Sequence, residues 1–165
     1  MARRAIPKSI QPSVLDRLID REPNHRNEPA SWRTQSLKEL KSSVRRDLEW
    51  LLNSRRTPLE PPQSFKELWH SIYCYGLPDS TGLALRSVED RARLARAVEF
   101  AISAFEPRLT HVAVNIPAAA PSSMKVHFQI EALLHTEPAP ERIYFDSTLE
   151  LTSGEYQVEG EERAG

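Results

Sequence analysis

The stretch MKVHFQIEA, Met124 to Ala132, alternates apolar and polar residues without a slip. Met124, Val126, Phe128, Ile130 and Ala132 are separated by Lys125, His127, Gln129 and Glu131. A period of two is that of a β-strand, whose successive side chains point to opposite faces. One apolar and one polar face mean a sheet buried on one side only. Val112, Val114 and Ile116, alternating with Ala113 and Asn115, make a preceding strand. Ile143, Phe145 and Leu149 to Leu151 give a third. Past a Ser153-Gly154 turn, Tyr156 and Val158 form a short return strand.

Helical patterns come before the strands. In SLKELKSSVRRDLEWLLNSRR, Ser36 and Glu39 are spaced as a capping box, and Leu37, Leu40, Val44, Leu48 and Leu51 recur as a buried stripe. Lys41, Arg45 and Glu49 lie away from it, and Arg55 and Arg56 fall where cations meet the negative pole of the helix dipole. SVLDRLID, Ser13 to Asp20, reads as a short amphipathic helix with Val14, Leu15, Leu18 and Ile19 on one face. Residues 21–35 read as loop, with Trp32 isolated in it. Ser64 to Asp79 reads as a short helix, capped by Ser64 with Glu67 and closed by Gly76 and Pro78. A last helix runs from Ser87 to about Phe105, with Leu94, Val98, Ala101, Ile102 and Phe105 inward. Pro107 ends it by forcing Glu106 out of the helical region.

The expected class is α+β, with N-terminal helices packed on one face of a small, mainly antiparallel sheet. At 165 residues, one domain is expected over 13–158, with a disordered basic arm at 1–12 and a loose acidic tail at 159–165. The net charge of -1 supplies no field for binding nucleic acid. No run approaches the ~20 apolar residues of a membrane span, and no apolar run follows Arg3 and Arg4 as an export signal requires. The single cysteine, Cys74, excludes an internal disulfide and a cysteine-rich zinc site. A place inside the cell is expected.

Chemistry is hard to find. Glu106 and Asp146 are candidate paired carboxylates for a hydrolase, and the alternative is two surface charges. Cys74 would share a helical face with His70, but a semi-buried structural thiol is the better reading. His111 and His127 would neighbour each other in a hairpin turning near residue 120, two ligands where zinc needs more. Arg45/Arg46 and Arg55/Arg56 are interleaved with acids and read as solvated or protein-facing. There is no glycine-rich phosphate loop. No catalytic residue, cofactor or metal is expected.

FEPRL, Phe105 to Leu109, remains. Past the proline the chain is extended, so Glu106 and Arg108 project on one side as an acceptor and a planar donor fork. They could orient a partner. Equally, Arg108 could bind the last helical carbonyls while Glu106 neutralises it.

SVLDRLID, SVRRDLEWLLNSRR, SIYCYGLPD and AISAFEPRL, in this order, resemble the type VI secretion baseplate subunits of the TssE family, wedge proteins shared with contractile-tailed phages. The resemblance spans roughly residues 11–158. It implies a small α+β baseplate component whose Glu106, Pro107 and Arg108 contact the wedge of TssF- and TssG-like subunits. It further implies that the protein starts the contractile sheath of TssB/TssC-like subunits by offering strands at an open edge. A TssK-like subunit is a further implied partner, and the inner face of the cytoplasmic membrane the implied place of assembly. Cys74 stands where the family commonly has asparagine. The competing readings are a lysozyme-like peptidoglycan hydrolase and a regulatory adaptor of the same fold.

Overall fold

The computed structural model describes Asp16, Leu18 and residues 36–79, 87–118, 123–136 and 139–160. The arm at 1–12, the loop at 21–35 with Trp32, and the last five residues of the tail lie outside the described residues. Glu159 and Gly160, assigned above to the tail, close a strand. Of the first expected helix, Asp16 and Leu18 are helical, but the facing is not as expected: Leu18 is 76% exposed and Asp16 is buried.

Helix α1, Leu37–Asn53, opens on the capping box: Glu39 N donates to Ser36 Oγ and Ser36 N to Glu39 Oε2. Leu40, Val44, Leu48, Leu51 and Leu52 are buried, whereas Leu37, in the first turn, stays exposed. The helix stops at Asn53 because Ser54 is extended, so Arg55 and Arg56 are not in its last turn. Instead Arg56 N donates to Leu77 O (3.0 Å) and Leu77 N to Ser54 O (2.8 Å), closing a parallel bridge at the base of a long loop. Gly76 makes that approach possible. Its φ is +97°, and a Cβ there would sit 2.2 Å from the Ser54 carbonyl oxygen.

The loop contains two 3₁₀ helices, Lys66–His70 and Ile72–Cys74, in place of the single α-helix expected. The cap position is Phe65 and not Ser64, and it makes no side-chain hydrogen bond. Ser71 breaks the run. It is extended, and its Oγ accepts from Tyr73 N, the local competition that disfavours serine inside helices.

Helix α2, Val88–Phe105, is capped by Ser87 Oγ, which accepts from Glu89 N and Asp90 N. Leu94, Val98, Ala101 and Ile102 point inward as expected, and Phe105 packs against the core edge. Four strands follow as an antiparallel meander in chain order: β1 (Leu109–Asn115), β2 (Lys125–Leu134), β3 (Glu141–Glu150) and β4 (Tyr156–Gly160). Val126, Phe128, Ile130, Ala132 and Leu134 of β2 share the inner face with Ile143, Phe145, Ser147 and Leu149 of β3. Met124, one residue before β2, is 57% exposed. The two helices cover this face, α1 against β4 and α2 against β1. The architecture is the α+β arrangement expected.

A bulge in β1 corrects its parity. The pairing shifts between Thr110 and Ala113, and His111 takes φ +54°. One extra residue lets both Leu109 and Val112 face the core. Each edge strand is also capped by a helix side chain. Asn53 of α1 donates from Nδ2 to Tyr156 O (2.8 Å) and accepts at Oδ1 from Tyr156 N (2.9 Å). Glu99 of α2 accepts from Val114 N at 2.9 Å. These bonds satisfy backbone groups that an edge otherwise offers to other chains.

Candidate functional site

Helix α2 ends where the proline requires. Glu106 N makes the last helical bond, to Ile102 O at 2.8 Å, and Leu109 N donates to Glu106 O at 3.1 Å, folding Pro107 and Arg108 into a turn. The two charged side chains do meet on one side of it. Glu106 Oε1 accepts from Arg108 N (3.1 Å) and Nε (2.7 Å), and Oε2 accepts from Nη2.

The pair is not a surface feature. Glu106 is 4% exposed, and Arg108 reaches α1, where Nη2 donates to Asp47 Oδ2 (2.6 Å) and Nη1 to Ser43 Oγ (3.2 Å). Asp47 Oδ1 accepts from Arg46 Nε (2.9 Å) and Nη2 (2.8 Å). Asp16 completes the cluster, its Oδ1 2.9 Å from Arg46 Nη2 and its Oδ2 4.0 Å from Arg108 Nη1. Pro107 is exposed at the tip.

The electrostatics follow from this packing. Burial works against the charge on Arg108, but the hydrogen bonds and charges of Glu106 and then Asp47 outweigh it and hold its pKa above the ordinary value. The same contest, decided by Asp47 and Asp16, raises Arg46. Burial pushes the nearby Tyr75 phenol up, with the charges of Asp47 and Glu106 adding. The motif thus joins α1, the α2–β1 turn and the segment carrying Asp16. Neither reading of FEPRL included Asp47 or Asp16. Ser43 and Asp47 are spaced i, i+4 on the flank of the α1 stripe, and that spacing was the available signal.

The other candidates do not assemble. Asp146 lies beside the inward Phe145 on β3, so it points to the outer face, where it accepts from Gln129 Nε2 (3.0 Å). Glu106 reaches toward α1, so the sheet separates the two carboxylates. His70 and Cys74 belong to different 3₁₀ helices, His70 exposed and Cys74 buried. His127 pairs with Thr148, while His111 lies near the Glu131 level of β2. Four residues of strand, roughly 13 Å, separate the histidines. Arg55 pairs with Asp79 and Arg56 with Glu60. Among the described residues no group of His, Cys, Asp or Glu could hold a metal ion, and no helix is long and apolar enough to cross a membrane.

The fold and the turn define an α+β module whose charged motif is engaged in joining its own segments. The family model of baseplate wedge protein gp25 matches residues 38–139, from α1 through the turn to the end of β2. The chain belongs to this family of baseplate structural proteins, which includes type VI TssE. Its role is that of a baseplate component in contact with other baseplate proteins. No curated protein matches the chain.

Proposed function

We propose that the chain is the TssE-type subunit of a type VI secretion baseplate, docking on TssF- and TssG-like wedge subunits through the Glu106–Pro107–Arg108 turn. One observation carries this reading. The turn is fixed from beneath by Glu106, Asp47 and Ser43, yet it presents Pro107 to solvent. A preorganised, exposed tip binds with little loss of conformational freedom. The role is structural and not catalytic, and the separation of Glu106 from Asp146 speaks against the hydrolase.

Sheath initiation is the second half of the proposal. In β4 Asn53 seals the backbone of Tyr156, which leaves the outward backbone of Val158 and Gly160 for an added strand of a TssB/TssC-like subunit. A TssK-like contact and assembly in the cytoplasm, at the inner face of the membrane, belong to the same reading.

Co-purification with the TssF- and TssG-like subunits of the same cell tests it. Wild type should bind, and Pro107→Lys, folded by circular dichroism, should not. Equal binding would move docking away from the turn. If neither binds, the adaptor reading replaces it.

A further inference from the structure

Asp16 precedes the family match and lies 30 residues before Arg46, yet its side chain is only 1% exposed. A carboxylate so buried persists only with paired charge around it. Among its partners are Arg46 and Arg108, which Asp47 and Glu106 already neutralise. Among the described residues, three carboxylates therefore face two guanidiniums. The pairing of α1 with the turn is electrically complete without Asp16. What Asp16 adds is a third stretch of chain, hydrogen-bonded to Arg46 and 4.0 Å from the Arg108 guanidinium that sets the turn. Arg46 has a further contact, lying 5.1 Å from the ring centroid of Trp50, itself 50% exposed.

We propose that Asp16 is a positioning residue, fastening the N-terminal segment to the Glu106–Arg108 turn through Arg46 and Arg108, so that docking at the turn depends on it. This rests on the docking reading above. Arg108 has several acceptors within reach and could satisfy its donors in more than one arrangement. With Oδ1 on Arg46 and Oδ2 facing Arg108 Nη1, Asp16 orders both guanidiniums from the side opposite Glu106 and leaves Pro107 uncovered.

The test uses the full chain carrying a nitroxide at Leu18→Cys, an exposed site, with Cys74 buried and protected from the label. Label mobility and affinity for TssF- and TssG-like subunits are read in wild type, Asp16→Asn and Asp16→Glu, well below the melting temperature. Asp16→Asn should free the label and weaken binding at least tenfold while circular dichroism stays native. Asp16→Glu should restore much of both. An unchanged label, or a freed label with unchanged affinity, overturns the proposal. If Asp16→Asn does not fold, Arg46→Gln is read in the same two ways. If wild type itself fails to bind, the docking reading falls with the dependence built on it, while the label still reports whether Asp16 fastens the segment.

Discussion

Arg108 Nη2 donates to Asp47 Oδ2 at 2.6 Å across 61 residues of sequence, and that bond joins the α2–β1 turn to helix α1. The same guanidinium holds Glu106 in the turn and Ser43 one helical turn before Asp47, so one side chain ties the turn to α1 at two positions. Arg108→Ala would leave Glu106 buried without its cation. Breaking a buried pair on one side costs about 3 kcal/mol or more, and the partial exposure of Arg108 keeps this case at the low end. Arg108→Lys should recover less than half of that, because three donors on one nitrogen cannot span the four bonds that the Arg108 fork makes to Glu106, Asp47 and Ser43. Urea unfolding of the two variants measures both losses, and an Arg108→Ala variant as stable as wild type would refute the clasp.

The alternation of β2 and the α1 stripe were legible because each is a local period that burial reinforces. The end of α2 was equally legible, since a proline acts on its immediate neighbour. The clasp was not. Asp16, Asp47 and Arg108 lie far apart in sequence, and charged residues look alike whether they face water or one another. The 3₁₀ loop was misread because Ser64 and Glu67 have capping spacing, while the deciding residue was Ser71. The trace of the His111 bulge is the three-residue step from Leu109 to Val112, which lies just before the alternating run of Val112, Val114 and Ile116.

Asn53 satisfies both backbone groups of Tyr156 on the outer edge of β4. Asn53→Ala should destabilise the fold by about 1–2 kcal/mol, the range for two hydrogen bonds exchanged for water at a half-open edge. It should also uncover more of the edge, so the variant should self-associate more at high concentration. Sedimentation velocity over a concentration series checks the second effect, and a strictly monomeric variant would show that the edge is protected by other means.

Ser147 points into the core between Phe145 and Leu149, and its Oγ is buried with no hydrogen-bond partner among the described residues. An unsatisfied buried hydroxyl carries its desolvation penalty in full, about 1–3 kcal/mol. Ser147→Ala removes the hydroxyl at the cost of a small void. The variant should be as stable as wild type or more so, by up to about 1 kcal/mol, with a higher thermal midpoint. A clear loss of stability would mean that the hydroxyl is satisfied in solution.

Tyr75 stacks edge-on against Phe105 at 5.3 Å, and its phenol is pushed above the ordinary value by burial, with Asp47 and Glu106 adding. Below pH ~10 the phenol is protonated in both folded and unfolded chains, so its contribution to stability is constant there. Above that value the unfolded chain loses the proton first. Unfolding then releases a proton, and stability falls as pH rises from the unfolded toward the raised folded pKa. Tyr75→Phe keeps the ring contact and removes the titration. Its stability relative to wild type should therefore be flat below pH ~10 and should improve above it. Paired urea titrations at neutral and high pH cancel the other groups that titrate there. A difference that does not change with pH would show that Tyr75 ionises as freely in the folded chain as in the unfolded one.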